Sequence, residues 1–185
     1  MTRLDCLLQS WRIAKARPFI APGSRVLDIG SADGSLFKQL PGIAPDSLGI
    51  DPTLKADARV GAIPLVKGFF PKDMPPVKPF DVITLLAVLE HFPAAAYLDL
   101  ASGCARFLKP GGHLVITVPS SLVDRILEVL KFLRLIDGMS LEEHHGFDAG
   151  QTPAIFPAAD FRLIRRKRFQ LGLNNLFVFQ RIRGV

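Results

Sequence analysis

Two carboxylates and two glycines are the residues of this chain best placed to do chemistry. Residues 25–37 read RVLDIGSADGSLF. The apolar run Val26, Leu27 and Ile29, interrupted by Asp28, predicts a buried strand. Gly30, Ser31, Ala32, Asp33 and Gly34 predict a tight turn, and Leu36 and Phe37 open a helical pattern. Glycine permits backbone angles that a Cβ forbids, and it lets a ligand come close to the main chain. A helix start beyond such a turn offers unpaired N–H groups and a partial positive charge. Strand, turn and helix in this order build the ligand crevice of an open α/β sheet. Leu48, Gly49, Ile50 and Asp51 predict a second strand ending in a carboxylate. That acid follows the turn by about 20 residues, the distance at which it accepts hydrogen bonds from a ribose. The plainer reading is a strand end capped by Asp51, with no ligand.

The turn has neither the G-x-G-x-x-G spacing of dinucleotide binders nor the Lys-Ser/Thr of a phosphate loop. It resembles instead the first motif of class I S-adenosylmethionine-dependent methyltransferases, acid-x-Gly-x-Gly-x-Gly. Asp28, Gly30 and Gly34 match, and Ala32 stands at the middle glycine, where alanine serves if its φ is negative. Two later segments resemble the same family in order and distance: Leu89-Glu90-His91 after the fourth strand, and Leu108-Lys109-Pro110-Gly111-Gly112 before the fifth.

The resemblance implies an α/β, Rossmann-like, seven-stranded and mostly parallel sheet, with an antiparallel last strand and helices on both faces. It implies S-adenosyl-L-methionine as cofactor. Asp28, Gly30, Ser31, Ala32 and Gly34 would surround its methionine moiety, with Asp51 and Pro52 at the ribose. Leu86 and Ala87 would touch it through their backbone. Phe69 and Phe70 stand where many relatives place an acid for the adenine. An aromatic or backbone contact to adenine is then expected there, with Phe69 the candidate, unless both rings are core.

At 185 residues the chain suits one domain, residues 1–185, with residues 1–22 a helix packing on it. Leu4, Leu7, Leu8 and Trp11 fall at helical spacing and predict its buried stripe. Hydrophobic residues make up 49% of the chain without a long polar tract, so a packed core is expected. The longest apolar stretch, residues 81–92, is too short to span a bilayer and contains Glu90 and His91. No signal-peptide order is visible, and Cys6 and Cys104 follow no metal or disulfide pattern; a cytoplasmic protein is expected.

Further along, residues 53–61 predict a shortened helical connection and residues 62–66 a third strand. Residues 80–86 form a near-continuous apolar run and predict a central strand. Residues 93–107 predict a helix that stops at a Pro110-Gly111 turn, and residues 113–118 the fifth strand. Leu122, Ile126, Val129, Leu130, Leu133 and Ile136 predict another helix. A pair of strands near residues 161–168 and 176–182 closes the chain.

Three histidines are candidate bases. His144 and His145 sit in the polar run EEHHGFD, which serves as base, ligand or plain surface; His91 follows the fourth strand. A metal site would need a third ligand, and none is identifiable, so no metal is expected. The net charge of +6 admits nucleic acid, anionic lipid or acidic metabolites as partners. Arg162, Arg165, Arg166, Lys167 and Arg168 gather part of it, yet no nucleic-acid module is recognisable. Cations also protect an edge strand.

The expected activity is methyl transfer to an unidentified acceptor: a small molecule, glycan or lipid. The alternatives are a non-catalytic S-adenosylmethionine-binding or scaffolding protein, a nicotinamide oxidoreductase and a nucleic-acid-binding module. Oligomeric state is left open.

Overall fold

A computed structural model describes residues 3–120 and 147–182. The helix expected over residues 122–136 and the His144–His145 pair lie outside the described residues.

Among the described residues eight strands form one sheet: β1 (Val26–Ile29), β2 (Leu48–Asp51), β3 (Ala58–Val60), β4 (Ile63–Lys67), β5 (Phe80–Leu86), β6 (Leu108–Pro119), β7 (Phe161–Phe169) and β8 (Asn174–Arg181). Their order is β3-β4-β2-β1-β5-β6-β8-β7. From β4 through β6 all neighbours are parallel; β8 then runs antiparallel between β6 and β7. This is the expected Rossmann-like sheet with its antiparallel last strand. The central strands were readable because parallel strands covered on both faces are apolar throughout.

The described helices cover both faces. Helix α1 (Arg3–Ala16) and α2 (Ser35–Gln39) lie on one, where Ile13, Ala16, Leu36 and Phe37 pack with Val26, Val82, Val115 and Val178. Helix α3 (Tyr97–Phe107) and the short α4 (Thr152–Ile155) lie on the other, where Leu100, Cys104 and Phe156 pack with Leu27, Ile83, Leu114 and Phe179.

Four expectations need correction. The sheet has eight strands rather than seven, because residues 53–61 contain β3 in place of a helical connection. Arg59 pairs with Pro64 and Val60 with Ile63 across a turn in which Gly61 is left-handed. An exposed edge strand has no buried face, so no alternation announces it. Secondly, α1 buries Ile13 and Ala16 while Leu7 and Trp11 are exposed. Its C-terminal half meets the sheet, so the stripe read from its first half was misplaced. Thirdly, the Pro110-Gly111 turn is an irregularity inside β6: pairing jumps from Phe80–Leu108 to Val82–His113. Finally, Ala32 has a φ of +43°, not the negative value expected of alanine.

Candidate active site

The carboxyl ends of β1, β2 and β5 meet in a cleft of about 520 Å³, lined by Gly30, Ala32, Asp51, Pro52, Thr53, Ala87, Val88 and His91. This is the edge on which open α/β sheets hold ligands. The volume falls within the roughly 300–1,000 Å³ of small-molecule sites. A larger groove of about 680 Å³ lies between the proline-rich residues 71–78 and α3. Its charged lining is Lys72, Lys78 and Arg106, with no carboxylate to receive a ribose.

The turn after β1 is fastened to the end of β2. Gly30 N donates to Ile50 O at 2.8 Å, and Ala32 N donates to Asp51 Oδ2 at 2.8 Å. Asp51 Oδ1 accepts from Thr53 N at 2.7 Å and from Thr53 Oγ1 at 2.5 Å. Asp51 is thus held rigidly from both sides: Oδ1 accepts two hydrogen bonds, while Oδ2 accepts one and keeps a lone pair for a ligand. Gly30 is left-handed, with φ +75°, and its α-carbon lies directly against Val88. Ala87 is left-handed too, with φ +59°, and its N–H donates to Thr117 O at 2.8 Å. Left-handed alanine costs about 1 kcal/mol or more. Two such residues, Ala32 and Ala87, line one cleft, as strained backbone tends to do at working sites.

Of the residues singled out from the sequence, Gly30, Ala32, Asp51, Pro52, Ala87 and His91 come together in this cleft. Asp28, Ser31, Gly34, Leu86 and Phe69 are not among its lining residues. Asp28 is buried in the sheet below, its Oδ1 2.6 Å from Thr84 Oγ1. Ser31 is buried against Gly49, and its hydroxyl has no hydrogen-bond partner among the described residues. Gly34 precedes α2 with φ +73°, closing the turn by donating to Ser31 O at 2.8 Å. Phe70 is core, whereas Phe69 is 65% exposed just beyond β4.

The start of α2 is not an open anion site. Asp33 Oδ1 accepts from Ser35 N and Ser35 Oγ, and Asp33 Oδ2 pairs with Lys38 at 3.0 Å. Partial burial raises the Asp33 carboxyl, but these bonds outweigh it and hold the group below its usual range. Thr53 and Val88 also line the cleft and were not anticipated. Each adjoins a residue that was, which is the only signal the sequence carries for them.

Asp28 has a measurable consequence. Burial pushes its carboxyl up to about 7, with the Thr84 hydroxyl opposing and the Asp51 charge adding. The folded chain therefore holds this proton more tightly than the unfolded chain. The stability it contributes is whole below the usual 3.8 and is lost as the pH rises through about 7. Between about pH 5 and pH 8 the loss is on the order of 3 kcal/mol. Asp28→Asn cannot ionise and should lack that slope. Denaturant titrations of both proteins at the two pH values check this, and parallel slopes would show that Asp28 ionises normally.

A methyltransferase domain model matches residues 4–167. The chain is 31% identical over 130 residues to a ubiquinone biosynthesis O-methyltransferase of Alkalilimnicola ehrlichii, covering 62% of this chain and 51% of the relative. It is 33% identical over 100 residues to the enzyme of that name in Thiobacillus denitrificans, covering 49% and 42%. The chain thus spans about half the length of these curated relatives. Among solved structures, the N-methyltransferase NodS of Bradyrhizobium japonicum in complex with S-adenosyl-L-homocysteine superposes with a TM-score of 0.68 at 17% identity, over 94% of this chain and 87% of NodS. The pyocyanin biosynthetic protein PhzM gives 0.66 at 18%, over 95% and 55%. These two likenesses concern the fold. The domain match covers most of the chain, and the chain belongs to the methyltransferase-domain family, the class I S-adenosylmethionine-dependent kind that its glycine turn resembles.

Proposed function

We propose that residues 1–185 act as one domain that binds S-adenosyl-L-methionine in the cleft and transfers its methyl group to an acceptor oxygen. The observation that carries this reading is the Asp51 carboxylate, locked between the Ala32 amide and Thr53 beside Gly30, where a side chain would collide with Val88. Asp51 would accept the ribose hydroxyls. Gly30, Ala32 and Ala87 would offer main chain to the rest of the cofactor, and Asp28, Ser31 and Gly34 would support the turn from below. Phe69, exposed at the same sheet edge, provides a face on which adenine can stack. Leu86 would act by placing Ala87.

S-adenosyl-L-methionine, held by Asp51 and by the main chain of Gly30, Ala32 and Ala87, would supply a methyl carbon already activated on a sulfonium. The protein's part is to align the acceptor and exclude water. A hydroxyl acceptor must also lose its proton, and a histidine is suited to receive it. His91 stands at the cleft; His145 and His144 are the other candidates. The acceptor is a small molecule, glycan or lipid carrying a hydroxyl, a class favoured by the names of the O-methyltransferase relatives.

Two measurements test this. Calorimetry with S-adenosylhomocysteine should show micromolar binding, and labelled S-adenosylmethionine should pass its methyl to a member of a hydroxyl-bearing acceptor panel. Binding without transfer would favour the non-catalytic reading, and no binding by folded protein would overturn both. With a working acceptor, replacing the true base by alanine should cut turnover at least about 100-fold. Affinity for S-adenosylhomocysteine should barely change. His91→Ala and His145→Ala, assayed side by side, identify which one it is; unchanged turnover removes that residue.

A further inference from the structure

Strand β7 forms the sheet edge, and every residue from Arg162 to Arg168 is exposed. Register with β8 places Arg162, Arg165 and Lys167 on the face that carries α1 and α2, and Arg166 and Arg168 on the other. Arg162 donates to Gln180 Oε1, and the Arg166 guanidinium lies 5.2 Å from the Phe177 ring centre. Among the described residues, none of these five cations has a carboxylate partner. Leu163 and Ile164 are interleaved with them, each about 40% exposed.

The turn that follows is less expected. Gln170, Leu171 and Gly172 are consecutively left-handed, with φ of +51°, +56° and +89°. Leu171 sits at the tip, 98% exposed. Leucine pays a steric penalty in that conformation, and glycine or asparagine would make the turn without it. Protection of a sheet edge accounts for the cations. It does not account for a large apolar side chain held out into solvent on strained backbone.

Basic and apolar groups on one edge suit an anionic bilayer, where cations meet phosphates and a leucine enters the acyl boundary. A nucleic-acid backbone would satisfy the cations and leave Leu171 in water. The hairpin tip also lies at the carboxyl end of β6, where Ser120 N donates to Leu173 O at 2.9 Å. That is the sheet edge on which the cleft sits. We propose that β7 and the Leu171 tip dock this protein on the surface of an anionic phospholipid membrane. This surface is independent of the methyl-transfer reading.

The test is co-sedimentation of the full chain with phosphatidylcholine vesicles, with and without phosphatidylglycerol, at low and high salt. Binding should require the anionic lipid and fall with salt. The triple variant R165E/K167E/R168E should weaken it roughly 100-fold. Leu171→Gly should weaken it roughly tenfold, while the melting temperature holds or rises as the strained leucine is removed. Unaltered affinity of both variants for S-adenosylhomocysteine shows that the cleft is intact. Equal binding to both vesicle types, no binding, or full binding by the triple variant overturns the proposal. So does a protein that ignores vesicles but binds single-stranded RNA, loses it in the triple variant and keeps it in Leu171→Gly.

Discussion

Asp51→Ala should bind S-adenosylhomocysteine at least about 100-fold more weakly than the parent chain. Two losses combine. A carboxylate that accepts from ligand hydroxyls contributes roughly 1.5–3 kcal/mol per hydrogen bond, and a ribose offers two such hydroxyls. Asp51 also ties Ala32 N and Thr53 to the end of β2, so its removal loosens the turn that shapes the cleft. Asp51→Asn separates the two. The amide keeps the side chain's shape and one acceptor oxygen, but its NH2 must face either the Ala32 amide or Thr53, which are donors themselves. Its affinity should fall between those of parent and alanine variant. Titration calorimetry measures all three, with circular dichroism as the folding control. Equal affinity across the series would remove Asp51 from the cofactor site.

The second large effect is on stability. Gly30→Ala should cost about 2–5 kcal/mol, the sum of left-handed strain and overpacking. A Cβ at Gly30 would sit 2.3 Å from Val88 Cγ2 and 2.8 Å from Val88 Cγ1. Val88 has little room to yield, because the preceding Ala87 is itself left-handed and its amide is bonded to Thr117 O. For a chain of this length the melting temperature should drop by roughly 5–20 °C. Gly111→Ala is the control: its φ is +80°, yet nothing lies within 4 Å of a Cβ there. It should show the strain alone, about 1–2 kcal/mol. Thermal denaturation of both variants separates the contact from the strain. Equal losses would mean that Val88 moves aside freely.

Much of the frame was legible because its signals are local. The strand before Gly30, the acid at Asp51 and the run at residues 80–86 are patterns within a few residues, and parallel strands buried on both faces are apolar throughout. Cleft residues such as Gly30, Asp51 and Ala87 could be named early because a ligand crevice forms where such strands end. Strand β3 escaped because an edge strand has no buried side. Ala32 escaped because residue type argues against a left-handed alanine, and the bond from its amide to Asp51 reaches 19 residues along the chain. The two phenylalanines after β4 could not be told apart by type, although one is core and its neighbour exposed.

What the amino-acid order determined by itself is the series of strands, the sharp turn at Gly30 and the carboxylate at the end of β2, all fixed by side-chain period and backbone permission. Tertiary structure decided what those residues meet. It buried Asp28 beneath the cleft and raised its carboxyl, set Val88 against Gly30, and carried Leu171 out to the tip of the β7–β8 hairpin. Those outcomes depend on pairing and desolvation between residues far apart in the chain, and no local pattern encodes how deeply a side chain will be covered.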